Sequence, residues 1–123
     1  MSRDAANLLH MVARLEVAST HRVLATNIHQ ARSFRERLRG LVGRARLGPG
    51  EAMLFERARQ VHTFAMSFPI DVVFCDREWR VIHVVSGLRP WRVTRFISDA
   101  HYVLELGSGA ARELSVGDVL VAT

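Results

Sequence analysis

The sequence predicts a single α+β domain of mainly antiparallel strands, compact, able to close fully or partly into a small β-barrel, with one or two short helices. Three observations lead there. With 123 residues, 49% of them hydrophobic, the chain can bury about two-thirds of its unfolded surface in one core. Short β-like runs crowd the second half at close spacing, whereas signals for helix starts are few. There is also no low-complexity tract, internal repeat or long linker to divide the chain. Residues 22–123 therefore read as one domain, preceded by an N-terminal extension over residues 1–21.

The extension carries Leu8, Leu9, Val12 and Leu15 near helical spacing after Ser2, a pattern that fits a short helix over 5–17 or a frayed segment. Residues 22–26 (RVLAT) read as a strand. Ser33 with Glu36 three residues later is a capping box for a helix that begins at Phe34 and stops near Gly43. Phe34, Leu38 and Leu41 share its buried face, and Arg37 lies at the edge, where its stem can run along the core. After the turn-rich GRARLGPG come β-like runs at 52–55, 61–66, 70–75, 80–85, 102–106 and 119–121. Residues 76–78 read as a hairpin turn, and 107–114 as a turn with a short helix.

Composition removes several classes of function. All 17 basic residues are Arg, so a Lys Schiff base, a phosphate-loop Lys and a Ser-Lys dyad are excluded. The formal charge of +5 fits either an anion-binding surface or the codon bias of a GC-rich genome. Cys75 is the sole cysteine, which rules out an internal disulfide and any multi-thiolate metal site. The uncharged run from Gln60 to Ile70 falls short of the roughly 18 residues a spanning helix needs, and the N-terminus lacks a continuous apolar signal core. No membrane insertion and a cytoplasmic location are the expectations.

Two glycine motifs tempt and fail. Gly107 and Gly109 approach a dinucleotide fingerprint, but Arg112 replaces the third glycine and the ribose-binding acid would fall beyond Thr123. Gly43 and Gly48 have phosphate-loop spacing with the wrong residues around them. The six histidines show no metal-ligand spacing, no serine sits in a nucleophile elbow, and Asp76 would raise rather than lower the Cys75 pKa. No catalytic residue, cofactor or metal is assigned.

The stretch VHTFAMSFPIDVVFCD, residues 61–76, carries the sharper candidates. Asp71 sits in an apolar run, and a carboxylate leaving water must be paired, hydrogen-bonded or protonated. It reads either as a structural acid, bonded to backbone N–H groups or to Arg37, or as an acid in a binding cleft with His62 and Thr63. Phe64, Met66 and Phe68 read as core. Further on, GLRPWRVTRF mixes Arg89, Arg92 and Arg95 with Trp91 and Phe96. That is the composition of an anion-stacking surface, or of a loop in which Trp91 packs on Pro90 and Arg stems.

ERLRGL at 36–41, GEAMLF at 50–55, VHTFAMSFPIDVVF at 61–74, LRPW at 88–91, YVLEL at 102–106 and Gly117-Asp118 together resemble the bacterial and archaeal domain of unknown function 192 family, along most of residues 22–121. The resemblance implies an α+β domain of mainly antiparallel strands, often barrel-like, with no established activity, cofactor or catalytic residues. Trp79 stands where the family usually has Gly, and Ser67 where a basic residue is common.

The ligand-binding candidates are thus His62, Thr63, Asp71, Arg37, Arg89, Trp91 and Arg92. Three functional readings follow: a non-enzymatic domain binding a small ligand or a protein, an Arg-rich nucleic-acid-binding module, or a small hydrolase or isomerase using Asp71 and His62 as acid and base. Partner identity and oligomeric state are not legible in the sequence.

Overall fold

The computed structural model describes residues 14–32 and 46–122. Among these residues all regular structure is strand: β1 (Leu15–Val17), β2 (Val23–Ala25), β3 (Asn27–Gln30), β4 (Glu51–Glu56), β5 (Ile70–Cys75), β6 (Val81–Leu88), β7 (Tyr102–Gly107) and β8 (Leu120–Ala122). They form a five-stranded sheet in the order β3-β4-β7-β5-β6 and a three-stranded sheet in the order β2-β1-β8. Every pairing is antiparallel except that of β3 with β4.

The expected α+β class and barrel closure are therefore corrected: two open sheets and no helix appear among the described residues. Leu15 and Val17 end a helical-looking pattern, but pairing with Leu120 and Ala122 draws them into β1. Residues 108–113 make successive turns rather than a helix, because Gly109 adopts a left-handed φ of 90° that interrupts helical geometry. The helix expected from Phe34 to Gly43, with Arg37, lies outside the described residues. The strand expected over 61–66 shrinks to one bridge, His62 with Val93, since Ala65 takes a φ of 66° and turns the chain.

β5 and β7 lie inside the larger sheet and bury both faces, which is why IDVVFC and YVLEL are almost wholly apolar. Alternation sends Val73, Cys75, Leu104 and Leu106 toward one cluster with Leu15, Val17 and Leu120 of the small sheet. Ile70, Val72, Phe74 and Val103 point the other way, onto Val61, Met66, Phe68 and Ile97. The two sheets join where Val81 N–H donates to Asp118 O, Leu120 N–H donates to Trp79 O, and Arg80 bridges Val119.

The β5–β6 hairpin closes through Asp76, whose Oδ1 accepts the N–H groups of Glu78 and Arg80. Trp79 in this turn has a φ of 63°, a conformation that ordinarily favours Gly. Its ring stacks on Tyr102 with centroids 3.9 Å apart, an attraction that offsets the backbone cost.

Candidate functional site

Asp71 is 1% exposed and lies opposite an irregularity in β6: Ile70 to Val72 spans two steps while their partners Leu88 to Val85 span three. The extra residue forms a bulge at Gly87, whose left-handed φ of 62° needs no side chain. Asp71 Oδ1 accepts the displaced Gly87 N–H at 2.8 Å, and Oδ2 accepts Gly109 N–H at 3.0 Å and Ala111 N–H at 2.9 Å. The carboxylate thus ties β5 to the β6 bulge and to the turn after β7. Those three partners leave His62 and Thr63 outside its hydrogen-bond set. Expected to share a cleft with Asp71, they belong to a different cluster.

Thr63 is fully buried and organises the loop after β6. Its backbone N–H donates to Arg92 O, and its carbonyl accepts from Trp91 N–H. Its hydroxyl donates to Arg89 O and accepts from Arg92 N–H at 3.0 Å. Thr94 repeats the arrangement one step along: its N–H donates to Val61 O and its hydroxyl accepts Val61 N–H. Segments 59–63 and 92–97 therefore form a short ribbon pinned by two buried threonines, with Val61 and Ile97 packed inward.

The outward side of that ribbon carries exposed aromatic rings. His62 lies 4.7 Å from Phe64, and Phe64 lies 5.9 Å from Trp91 at 24°, stacked. Trp91 is 64% exposed and Phe64 43%, so Phe64 is not the core residue that the pattern predicts. Trp91 is held at a φ of 61°, strained for a bulky residue and fixed by Thr63. Val93 and Phe96 are also exposed, as are Arg89, Arg92 and Arg95. Among the described residues none of these three guanidinium groups has a carboxylate partner. Of the sequence candidates, His62, Arg89, Trp91 and Arg92 thus share one surface, Thr63 lies beneath it, Asp71 is in the core elsewhere, and Arg37 lies outside the described residues.

Two buried titratable groups carry no role in the sequence-based expectations. Glu105 is fully buried in β7, opposite Met53 and Val72. The signal was present, since a carboxylate within YVLEL has to be compensated wherever it points. His101 is buried beside Tyr102, edge to face at 4.6 Å, and burial lowers its pKa, with Arg77 adding to the effect and Glu56 opposing it. It borders an open depression of about 300 Å³ with Arg59, Arg77, Asp76 and Asp99, whose charges of both signs define no single ligand type. Burial pushes the Cys75 thiol up to about 12, with Asp76 adding to the shift. A buried thiol of that kind is no nucleophile. Among the described residues no group of three or more His, Cys, Asp or Glu is placed to hold a metal, and no helix is long and apolar enough to cross a membrane.

The fold and surface define a two-sheet β domain with an exposed aromatic and arginine face. Residues 15–121 match the family described as DUF192, Uncharacterized ACR, and the chain belongs to that family. A UPF0127 protein of Pyrococcus abyssi (strain GE5 / Orsay) is 36% identical over 78 residues, which cover 57% of this chain and 66%, just under two thirds, of that relative. The crystal structure of a protein of unknown function from Novosphingobium aromaticivorans DSM 12444 superposes with a TM-score of 0.73 at 23% identity, covering 89% of this chain and 84% of that one. That of a protein from Sinorhizobium meliloti 1021, described as a "putative transcription regulator", gives 0.69 at 25% identity, covering 89% and 90%.

Proposed function

We propose that the domain is a non-enzymatic binding module, an accessory domain that captures a small ligand or a protein segment on the face formed by His62, Phe64 and Trp91 between Arg89 and Arg92. The observation that supports this reading is the cost of holding Trp91 outward. A large aromatic ring in a left-handed backbone conformation, 64% exposed, gains little for the fold and is fixed only because Thr63 binds the loop on both sides. Pre-ordered aromatic rings flanked by unneutralised arginines lower the ordering cost of binding. The acid and base reading has less support, since both Asp71 oxygens already accept backbone N–H groups. The Sinorhizobium meliloti relative's description also favours binding over catalysis.

A thermal-shift screen with metabolites, peptides and oligonucleotides tests the proposal, because a ligand of the folded state raises Tm. The Phe64→Ala/Trp91→Ala variant should keep the parent's Tm without ligand to within about 3 °C, both side chains being largely outside the core. It should lose the ligand-induced rise. A ligand whose stabilisation survives both substitutions assigns binding to another part of the molecule and ends the proposal.

A further inference from the structure

Resting on that reading of the face as a binding surface, but with a nucleic-acid strand in place of a small ligand or protein segment, we infer that its ligand is single-stranded nucleic acid. Two observations point to it together: a pair of stacked, outward rings and a set of arginines without acidic partners among the described residues.

The charge is concentrated here. Segments 61–70 and 87–98 together hold Arg89, Arg92 and Arg95 and not one Asp or Glu. Arg22, elsewhere in the fold, is neutralised by an ion pair with Glu113. Arg89, Arg92 and Arg95 are exposed and have no such partner among the described residues. The face therefore presents three free guanidinium groups, forked donors suited to phosphate oxygens.

Planarity supplies the other half. Phe64 and Trp91 lie within 24° of parallel, and the Trp91 ring is the more exposed of the pair. A base laid on that ring extends the stack already formed by Phe64 and Trp91. Every base has a π-face, so such contacts tolerate any sequence, and neighbouring arginines can meet the phosphates on either side. A duplex keeps its bases stacked internally and offers this face only phosphates. An anionic bilayer asks for an apolar patch that can be immersed, with cations around its rim. Here Arg92 and Arg95 instead interrupt the exposed row Trp91, Val93 and Phe96, so immersing the rings would drag guanidinium groups along.

The test uses the full chain and fluorescence anisotropy with labelled oligo(U) and oligo(dT) of about 12 nucleotides, near the upper site size of small single-strand modules. Three phosphate contacts give a log-log salt slope of about −2, so affinity should fall about 20-fold between 50 and 200 mM salt. Trp91→Ala should weaken binding by about 5- to 150-fold, the loss of one stacked base, and Trp91→Phe should restore most of it. Arg89→Ala/Arg92→Ala should flatten the salt slope, whereas Arg80→Ala, exposed at the opposite end of β6, should not. Circular dichroism and Tm identify any variant that fails to fold, in which case the Trp91→Phe comparison decides. Absence of binding at 50 mM salt, equal affinity for a duplex of the same length, or binding indifferent to Trp91→Ala overturns the inference. If phosphatidylserine vesicles or an acidic peptide bind through Trp91 while oligonucleotides do not, the nucleic-acid assignment fails and the binding face itself stands.

Discussion

Replacing Asp71 by Asn keeps the side-chain shape and removes the charge on which three backbone donors converge. The amide oxygen can still accept one side of the set. If it takes the place of Oδ2, the bonds from Gly109 and Ala111 survive as neutral ones, and the new NH2 faces Gly87 N–H, donor against donor. One lost charged hydrogen bond with a buried unsatisfied N–H costs about 2–3 kcal/mol. An unfolding entropy of about 2 cal/mol/K per residue puts the Tm drop for a chain of this length near 8–12 °C. Asp71→Ala, which orphans all three donors, should cost more, about 4–5 kcal/mol. Urea titrations should show the midpoint falling at constant m, and hydrogen exchange should quicken first at Gly87, Gly109 and Ala111. A Tm for Asp71→Asn within about 2 °C of the parent, with ligand binding abolished, would falsify the structural role and restore Asp71 to a cleft.

Thr63→Val should lower stability by about 2 kcal/mol, since Arg89 O and Arg92 N–H lose their partner, and should shift Trp91 fluorescence; Thr63→Ser should recover both. An unchanged spectrum in the Val variant would mean the loop is held by something else. Cys75 should resist a thiol reagent at pH 8 and react only as fast as the chain unfolds; burst labelling of the native protein would contradict its burial. Because the native thiol titrates near 12 and the unfolded one near 9.0, the native state holds its proton longer, and this group's contribution to stability should fall as pH rises through that window. His101 works in the opposite range. Its native pKa lies below the ordinary 6.5, so the unfolded state takes up the proton first on acidification, and stability should drop as pH falls below about 6.5. Comparing urea midpoints at pH 7.5 and 5.5 with those of His101→Gln isolates this component; an NMR titration of His101 at or above 6.5 would contradict it.

β5 was legible residue for residue because its cause is local: an apolar run between Pro69 and Asp76, long enough for a strand buried on both faces. β3 was not, since NIHQ has no apolar alternation and becomes a strand only by lying parallel to β4 at the sheet edge. β1 was not legible either, the expectation over 5–17 being a short helix or a frayed segment because Leu8, Leu9, Val12 and Leu15 fall near a helical period, while its strand partners are β2 and, more than a hundred residues away, β8. The same distinction separates the candidate residues. That Asp71 needed compensation was evident from its apolar setting, but its donors come from a bulge and a turn 16 to 40 positions on. Trp91 and its arginines were legible from composition. Phe64 was not, because the left-handed Ala65 breaks the strand alternation that would have buried it.

The pairing of β1 with β8 has a consequence for biosynthesis. Residues 15–17 can pair with β2 soon after they leave the ribosome, yet their other edge stays open until residues 120–122 follow, about 5–20 s later at ordinary elongation rates. Throughout that interval Leu15, Val17 and the β7 side chains Leu104 and Leu106, once made, lack the wall that Leu120 helps to close. The nascent chain is therefore most exposed to chaperones and proteases just before β8 emerges, and substitutions in β8 should reduce yield in the cell more than their effect on the finished fold suggests.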